Sequence, residues 1–131
     1  MMRGFKLKLA VCGILPVFDY FLTVSRKDDP NKIGFIGGKV DEGETVENAV
    51  VREFLEETGL SVEINHDYKP FISEDNNGYM VHCYVVKLID EEHLQTSEYE
   101  TGVVRLANKI QLTKSSPWNE YNAAAFNWFN F

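Results

Sequence analysis

The sequence has 131 residues, of which 44% are hydrophobic and 25% charged, and we expect residues 1–131 to form a single globular domain. The formal net charge of −7 argues against a protein that coats a nucleic-acid polymer, because that function needs a basic surface. The absence of an apolar run of membrane-spanning length or an apolar signal core, together with only two cysteines, predicts a cytoplasmic protein without a membrane span.

Two strands are predicted at the beginning of the chain. Leu7–Val17 and Tyr20–Ser25 are rich in apolar and β-branched residues, and Pro16 is expected at a strand end or on a sheet edge. Arg26–Asn31 is polar and predicts a turn.

A short apolar run then leads into a glycine pair. Ile33–Ile36 precedes Gly37 and Gly38, where the missing side chains permit close approach of the backbone to a ligand. Lys39 follows directly and has a charge suited to a phosphate, although a solvated loop lysine is an equal alternative.

One helix is predicted over Val46–Thr58. Thr45 is a favourable N-cap, and Glu47 in the first turn suits the positive end of the helix dipole. Gly59 is a natural residue for the left-handed conformation that ends a helix.

Three carboxylates share one face of this helix. Glu53, Glu56 and Glu57 have the spacing i, i+3, i+4, and they lie in the last turns, where the helix dipole prefers cations. A solvated acidic face is the simpler interpretation. However, a bound hard cation such as Mg²⁺ or Mn²⁺ would relieve both electrostatic costs.

The chain after the helix predicts further strands. Val62–Ser73 predicts a strand of uncertain length, and Asn77-Gly78 marks a hairpin turn before the clearest strand, Tyr79–Ile89. His82 alternates with apolar residues and is expected to pack in the sheet.

The last part of the chain predicts one strand and one helix. Asp90–Thr101 is acidic and predicts a loop or short helix, and Val103–Leu106 predicts the last strand. Ser115-Ser116-Pro117 interrupts regular structure, and Trp118–Phe131 has near-helical spacing of apolar residues.

The glycines, the loop and the helix together resemble the Nudix box. The fixed residues of that motif are all present at its spacing: Gly38, Glu44, Arg52, Glu53, Glu56, Glu57, Gly59 and the apolar Leu60. Phe54 is a mild departure, since the family more often has an aliphatic residue there. The resemblance to the Nudix hydrolase family is specific over about 24 residues.

This resemblance implies an α/β (α+β) fold, the Nudix α/β/α sandwich with a mixed β-sheet. It also implies roles for named residues. The carboxylates of Glu53, Glu56 and Glu57 and the carbonyl of Gly37 would hold Mg²⁺ or Mn²⁺. Glu44 and Arg52 would help to hold the loop and the helix together.

The resemblance leaves two further roles open. Nudix enzymes commonly draw an additional carboxylate, a metal ligand or general base, from a later loop, and Glu98 and Glu100 are the candidates. A basic residue after the second strand often approaches the substrate, and Arg26 is either that residue or a plain surface charge.

The segment Gly34–Val40 resembles the MutT-like branch that hydrolyses oxidised purine nucleoside triphosphates. In that branch a tryptophan and acidic residues near the C-terminus contact the base. Trp118, Asn119 and Glu120 lie at a similar place, with Trp118 as a stacking surface and the other two as hydrogen-bonding groups. The alternative is that Trp118 anchors the C-terminal helix in the core.

The predicted activity is therefore hydrolysis of a phosphoanhydride bond in a small nucleotide by a monomer or homodimer. The preferred expectation is a purine nucleoside triphosphate, cleaved to monophosphate and pyrophosphate. The alternatives are hydrolysis of ADP-ribose, dinucleoside polyphosphates or NADH, and a catalytically silent Nudix-like domain that senses a nucleotide.

Overall fold

The computed structural model describes residues 8–89, 97–99 and 102–131, and for residues 97–99 only the backbone. The strands are β1 (Lys8–Ile14), β2 (Pro16–Val17), β3 (Tyr20–Arg26), β4 (Asp29–Gly34), β5 (Ile36–Lys39), β6 (Val62–Ile64), β7 (Phe71–Glu74), β8 (Tyr79–Leu88), β9 (Ser97–Tyr99) and β10 (Gly102–Asn108). The helices are α1 (Val46–Thr58) and α2 (Asn119–Phe129), and a π-helical turn at Gln111–Ser115 precedes α2.

The strands form two sheets. The first is mixed and has the order β5-β1-β8-β6, with β7 also paired to β8. Within it β1 and β8 are parallel, and the other pairings are antiparallel. The second sheet is antiparallel, has the order β2-β3-β10-β9, and carries β4 on β3.

Alternating residues of the central strands fill two separate cores. Val11 and Tyr84 belong to the core that includes the buried residues of α1, whereas Cys12 and Cys83 belong to the core that includes those of α2. This alternation follows from the two-residue period of a strand. The helices therefore cover opposite faces, and the predicted mixed-sheet sandwich of the α/β (α+β) class is confirmed.

Helix α1 begins and ends where the sequence predicts. The hydroxyl of Thr45 accepts a hydrogen bond of 3.1 Å from the backbone N–H of Asn48, which caps the first turn. Gly59 has φ 73°, and its N–H donates to the carbonyl of Leu55. Both predicted end signals of the helix are therefore present.

Phe54, the departure from the family pattern, is fully buried. A side chain added at Gly13 of β1 would overlap its ring. The aromatic residue in α1 is thus accommodated by a missing side chain in the strand beneath it.

Several predicted boundaries are wrong. The polar stretch Arg26–Asn31 is not all turn: only Lys27 and Asp28 turn, and Asp29–Asn31 begin β4, because this strand pairs with β3. Val62–Ser73 contains two short strands separated by a loop, since β6 and β7 pair with different parts of β8.

The single strand predicted over Leu7–Val17 is also wrong: it contains β1 and β2, which are separated at Leu15 because they pair in different sheets. Other differences lie near the C-terminal part of the chain. Residues 97–99, predicted as loop or helix, form β9 against β10, and the rest of Asp90–Thr101 lies outside the described residues. The last strand extends beyond Val103–Leu106 to Gly102–Asn108, because β3 offers partners along its length. The predicted C-terminal helix is present as Asn119–Phe129.

Among the residues that the structure describes, neither helix combines the length and the apolarity that a membrane crossing requires.

Candidate active site

A cavity of about 780 Å³ brings together residues from both ends of the chain. Its walls come from β1, the end of β3, the β4–β5 connection, the β7–β8 hairpin, α1 and the start of α2. The lining residues include Cys12, Arg26, Gly34, Gly37, Glu57, Asp75, Trp118, Asn119, Glu120 and Tyr121. Six of these were predicted as site residues from the sequence.

Two box glutamates lie against the glycine pair of β5. The backbone N–H of Gly37 donates to a carboxylate oxygen of Glu57 at 3.2 Å. At Gly38, any side chain would overlap the carboxylate of Glu53. The glycines therefore permit α1 and β5 to approach closely enough for the carboxylates to reach the strand backbone.

Burial makes these carboxylates unfavourable as free anions. Desolvation, and after it the nearby charge of Glu53, raises the pKa of Glu57 to about 8. Desolvation likewise raises the pKa of Glu53, even though Arg52 acts in the opposite direction. Removal from water is therefore the main reason that the charged forms of both carboxylates are disfavoured, and repulsion from neighbouring carboxylates adds to it.

Arg52 joins the helix to the preceding loop. Its guanidinium donates to both carboxylate oxygens of Glu44, at 2.7 and 3.0 Å, and to the carbonyl of Lys39 at 3.1 Å. The hydrogen bond from Arg52 lowers the pKa of Glu44. The same guanidinium donates to Glu53 at 3.1 Å and to Glu56 at 3.0 Å and lies 3.6 Å from Asp41, so one cation pairs with four carboxylates.

The donor set fits a hard divalent cation in its chemistry. Carboxylate oxygens predominate, and a bound cation would stabilise the charged forms of Glu53 and Glu57, whose pKa values burial raises. Within residues 8–89 and 102–131, no three carboxylate, imidazole or thiol groups already converge to hold a metal. The Glu53 and Glu56 side chains point instead to Arg52.

Trp118 also lines the cavity. Its side chain is 45% exposed, whereas the core positions of α2 are taken by Ala125, Phe126 and Phe129. Trp118 is therefore not a core anchor of α2, which was the alternative interpretation of this residue. Asn119 and Glu120 follow it at the start of α2 and also line the cavity.

The basic candidates have other partners. Arg26 lines the cavity, but its guanidinium donates to both carboxylate oxygens of Asp28, at 3.0 and 3.1 Å. Lys39 is not among the lining residues, and its Nζ lies 5.6 Å from the centre of the Tyr79 ring. Glu98 lies in β9, where only the backbone is described, and Glu100 lies outside the described residues.

The cavity also contains residues that sequence reasoning missed. Cys12 and Tyr121 both line it, and the thiol of Cys12 is 3.3 Å from the hydroxyl of Tyr121. No local pattern could have paired two residues 109 positions apart. Gly34, whose backbone lies under Trp118, is a second such residue.

Comparison with known proteins places this geometry in a family. The family model for the NUDIX domain matches residues 6–129. An ADP-ribose pyrophosphatase of Methanocaldococcus jannaschii is 52% identical over 54 residues, which are 40% of this chain and 32% of that protein. An oxidized purine nucleoside triphosphate hydrolase of Mus musculus is 63% identical over 30 residues, which are 23% of this chain and 19% of that protein.

Both alignments thus span a third or less of the relatives' own length. The fold is matched over a much larger part. The crystal structure of a C. elegans Ap4A hydrolase binary complex has a TM-score of 0.69 at 18% identity, covering 90% of this chain and 93% of that chain. With the family match extending over nearly the whole sequence, the chain belongs to the Nudix hydrolase family.

Proposed function

We propose that this protein is a metal-dependent pyrophosphohydrolase of small nucleotides, and that its preferred substrate is a purine nucleoside triphosphate, oxidised forms included. The observation that carries the proposal is that Glu57 and Trp118 line the same cavity. Glu57 supplies a carboxylate for a phosphate-bound cation, and Trp118 supplies an aromatic surface for a base.

In this proposal the cation is Mg²⁺ or Mn²⁺, held by Glu53, Glu56, Glu57 and the Gly37 carbonyl. When bound, it neutralises charge on the phosphates and increases the acidity of water. One carboxylate of the box, or Glu98 or Glu100 from the later segment, accepts a proton from the attacking water. Arg52 and Glu44 keep the loop and α1 in register around these groups.

The substrate contacts follow from the lining of the cavity. Trp118 stacks on the base, while the amide of Asn119 and the carboxylate of Glu120 bond its edge. Arg26 breaks its hydrogen bonds to Asp28 and binds the phosphates of the substrate instead. Gly38 and Lys39 border the phosphate site. A base-binding site of this kind distinguishes one base from another because a wrong base leaves hydrogen-bonding groups of the protein unpaired.

ADP-ribose hydrolysis is the second candidate, because the longer of the two sequence alignments is to a protein named ADP-ribose pyrophosphatase. Dinucleoside polyphosphate or NADH hydrolysis belongs to the same group of alternatives. A silent nucleotide-sensing domain is disfavoured, since the box retains Glu53, Glu56 and Glu57. We further propose a single-domain monomer or homodimer in a reducing cytoplasm, which the free, buried Cys12 and Cys83 support.

The test is a substrate panel measured as kcat/KM with Mg²⁺, and again in EDTA. The panel contains guanine, oxidised guanine, adenine and pyrimidine nucleoside triphosphates, ADP-ribose and diadenosine polyphosphates. We expect hydrolysis only with the cation, and a purine triphosphate as the best substrate, giving monophosphate and pyrophosphate. A tenfold advantage for ADP-ribose or a dinucleotide would reject the triphosphate assignment and leave the Nudix chemistry.

A further inference from the structure

Trp118 lies directly on the backbone of Gly34, the last residue of β4. A Cβ atom built on Gly34 would be 2.7 Å from Cε3 and 2.9 Å from Cζ3 of the indole. Gly34 is not among the glycines with positive φ, so its backbone does not require glycine. The requirement at this position is therefore space for the indole, not conformational freedom.

A buried polar network fixes the segment that carries Trp118. Ser116 is 4% exposed, and its hydroxyl donates to the carbonyl of Ile33 at 2.6 Å. The same hydroxyl oxygen accepts from the N–H of Trp118 at 3.1 Å and from the side-chain amide of Asn122 at 3.2 Å. Asn122 is 1% exposed and also donates to the carbonyl of Leu112 at 2.9 Å. Ser116 thus ties the start of α2 to the residue next to Gly34.

From these contacts we infer that Gly34 and Ser116 are positioning residues for base binding: together they hold the indole of Trp118 against Gly34 of β4 and so set the width of the cavity beside Trp118. This inference rests on the proposed function for its catalytic consequence, but the position of the indole is measurable without any substrate. Because Trp118 is 45% exposed, the indole can yield to a new methyl group at Gly34 by moving outward, which spares the core.

The environment of the indole can be measured by tryptophan fluorescence. The chain has two tryptophans, so replacing Trp128 leaves the emission of Trp118 alone. Trp128→Phe keeps an aromatic ring against Phe71 and leaves Trp118 as the reporter. In this background we expect Gly34→Ala to shift the emission to longer wavelength and to increase quenching by acrylamide. Emission and quenching equal to those of the Trp128→Phe parent would overturn the inference.

The catalytic consequence is read from KM. Gly34→Ala should raise KM for a purine nucleoside triphosphate about tenfold, through partial loss of base stacking, with kcat nearly unchanged. KM for ribose 5′-triphosphate, which has no base, should not change. In a Trp118→Ala background, Gly34→Ala should have no further effect on KM, because Gly34 acts through the indole.

These measurements separate the two proposals. If the protein hydrolyses no nucleotide, the proposed function fails, and the fluorescence data still decide where Gly34 places the indole. If the indole moves but KM for the purine and the base-free substrate change equally, Gly34 has no role in base binding and the inference is wrong. Should Gly34→Ala fail to fold, Ser116→Ala in the Trp128→Phe background serves for both measurements, with the same expected directions.

Discussion

Glu57 connects the carboxylate end of the site to the rest of the cavity. It is bonded to the backbone of Gly37, it lines the cavity, and its burial disfavours its charge. A buried carboxylate that destabilises the fold when charged, and that lines a cavity large enough for a ligand, is typical of a functional site. Two predictions follow from it at the scale of one residue.

Replacing Glu57 by glutamine should abolish most of the activity without disturbing the fold. The amide oxygen can still accept from the Gly37 N–H, but the negative charge for the cation is lost. We expect kcat to fall at least about a hundredfold, as when a key electrostatic group is removed. Steady-state kinetics at saturating Mg²⁺ and far-UV circular dichroism check this, and Glu63→Gln, on the exposed side of β6, is the matched control. Near-native turnover would remove Glu57 from the metal site.

The same carboxylate should make the metal-free protein less stable at high pH. The folded-state pKa of Glu57 is raised from 4.5 to about 8, so the folded state binds this proton more tightly than the unfolded state does. The resulting stability is fully present below pH 4.5 and is lost as the pH rises through 8. We expect the free energy of unfolding in EDTA to fall by a few kcal/mol over this range, relative to Glu57→Gln. Urea titrations at a series of pH values measure it, and parallel curves for the two proteins would contradict it.

At the scale of elements, Arg52 holds α1 and the loop before it together, chiefly through its ion pair with Glu44. Arg52 donates to both oxygens of Glu44, and the two side chains are only 26% and 16% exposed. A lysine cannot reproduce two parallel donors, so Arg52→Lys is not a conservative change here.

We expect Arg52→Lys to cost about 1.5–3 kcal/mol of stability, which is the range for hydrogen bonds to charged groups. Most of this loss should disappear when Glu44 is already glutamine, because the two residues act as a pair. Thermal or urea unfolding of the wild type, both single variants and the double variant gives the coupling energy. Additive effects would show that Arg52 acts through Glu53 or Glu56 instead.

Sequence reasoning succeeded where the determinants are local. Thr45 and Gly59 act on their own helix ends, and the three box glutamates lie on the one helix that these signals delimit. It failed where pairing with a distant strand decides the outcome, as for Asp29–Asn31 in β4. The packing of Trp118 on Gly34 belongs to the same group, because it depends on how the C-terminal helix returns to the sheet.

For the whole molecule, we expect cation binding to stabilise the fold because of the excess of negative charge. The net charge is −7, and the buried carboxylates add a local repulsion that Arg52 only partly offsets. A ligand that binds only the native state raises its stability by mass action. The melting temperature should therefore depend on the concentration of divalent cation.

We expect millimolar Mg²⁺ or Mn²⁺ to raise the melting temperature of the metal-free protein by several degrees, and a nucleotide to raise it further. The increase with metal should be much smaller in Glu57→Gln than in the wild type. Differential scanning fluorimetry with Na⁺ at equal ionic strength separates specific binding from charge screening. An unchanged melting curve in protein shown to be metal-free would count heavily against the metal site.

The parallel pairing of β1 with β8 has a kinetic consequence. It joins residues 8–14 to residues 79–85, and the other sheet joins β3 to β10 across a similar separation. During synthesis, α1 and its glutamates leave the ribosome well before β8 exists to complete the mixed sheet. Because such distant pairings require the closure of long loops, folding should be slow compared with that of helical proteins of this size. Until β8 has been synthesised and has paired, one edge of β1 has no strand partner. The negative charge of the nearby helix α1 opposes self-association through this edge.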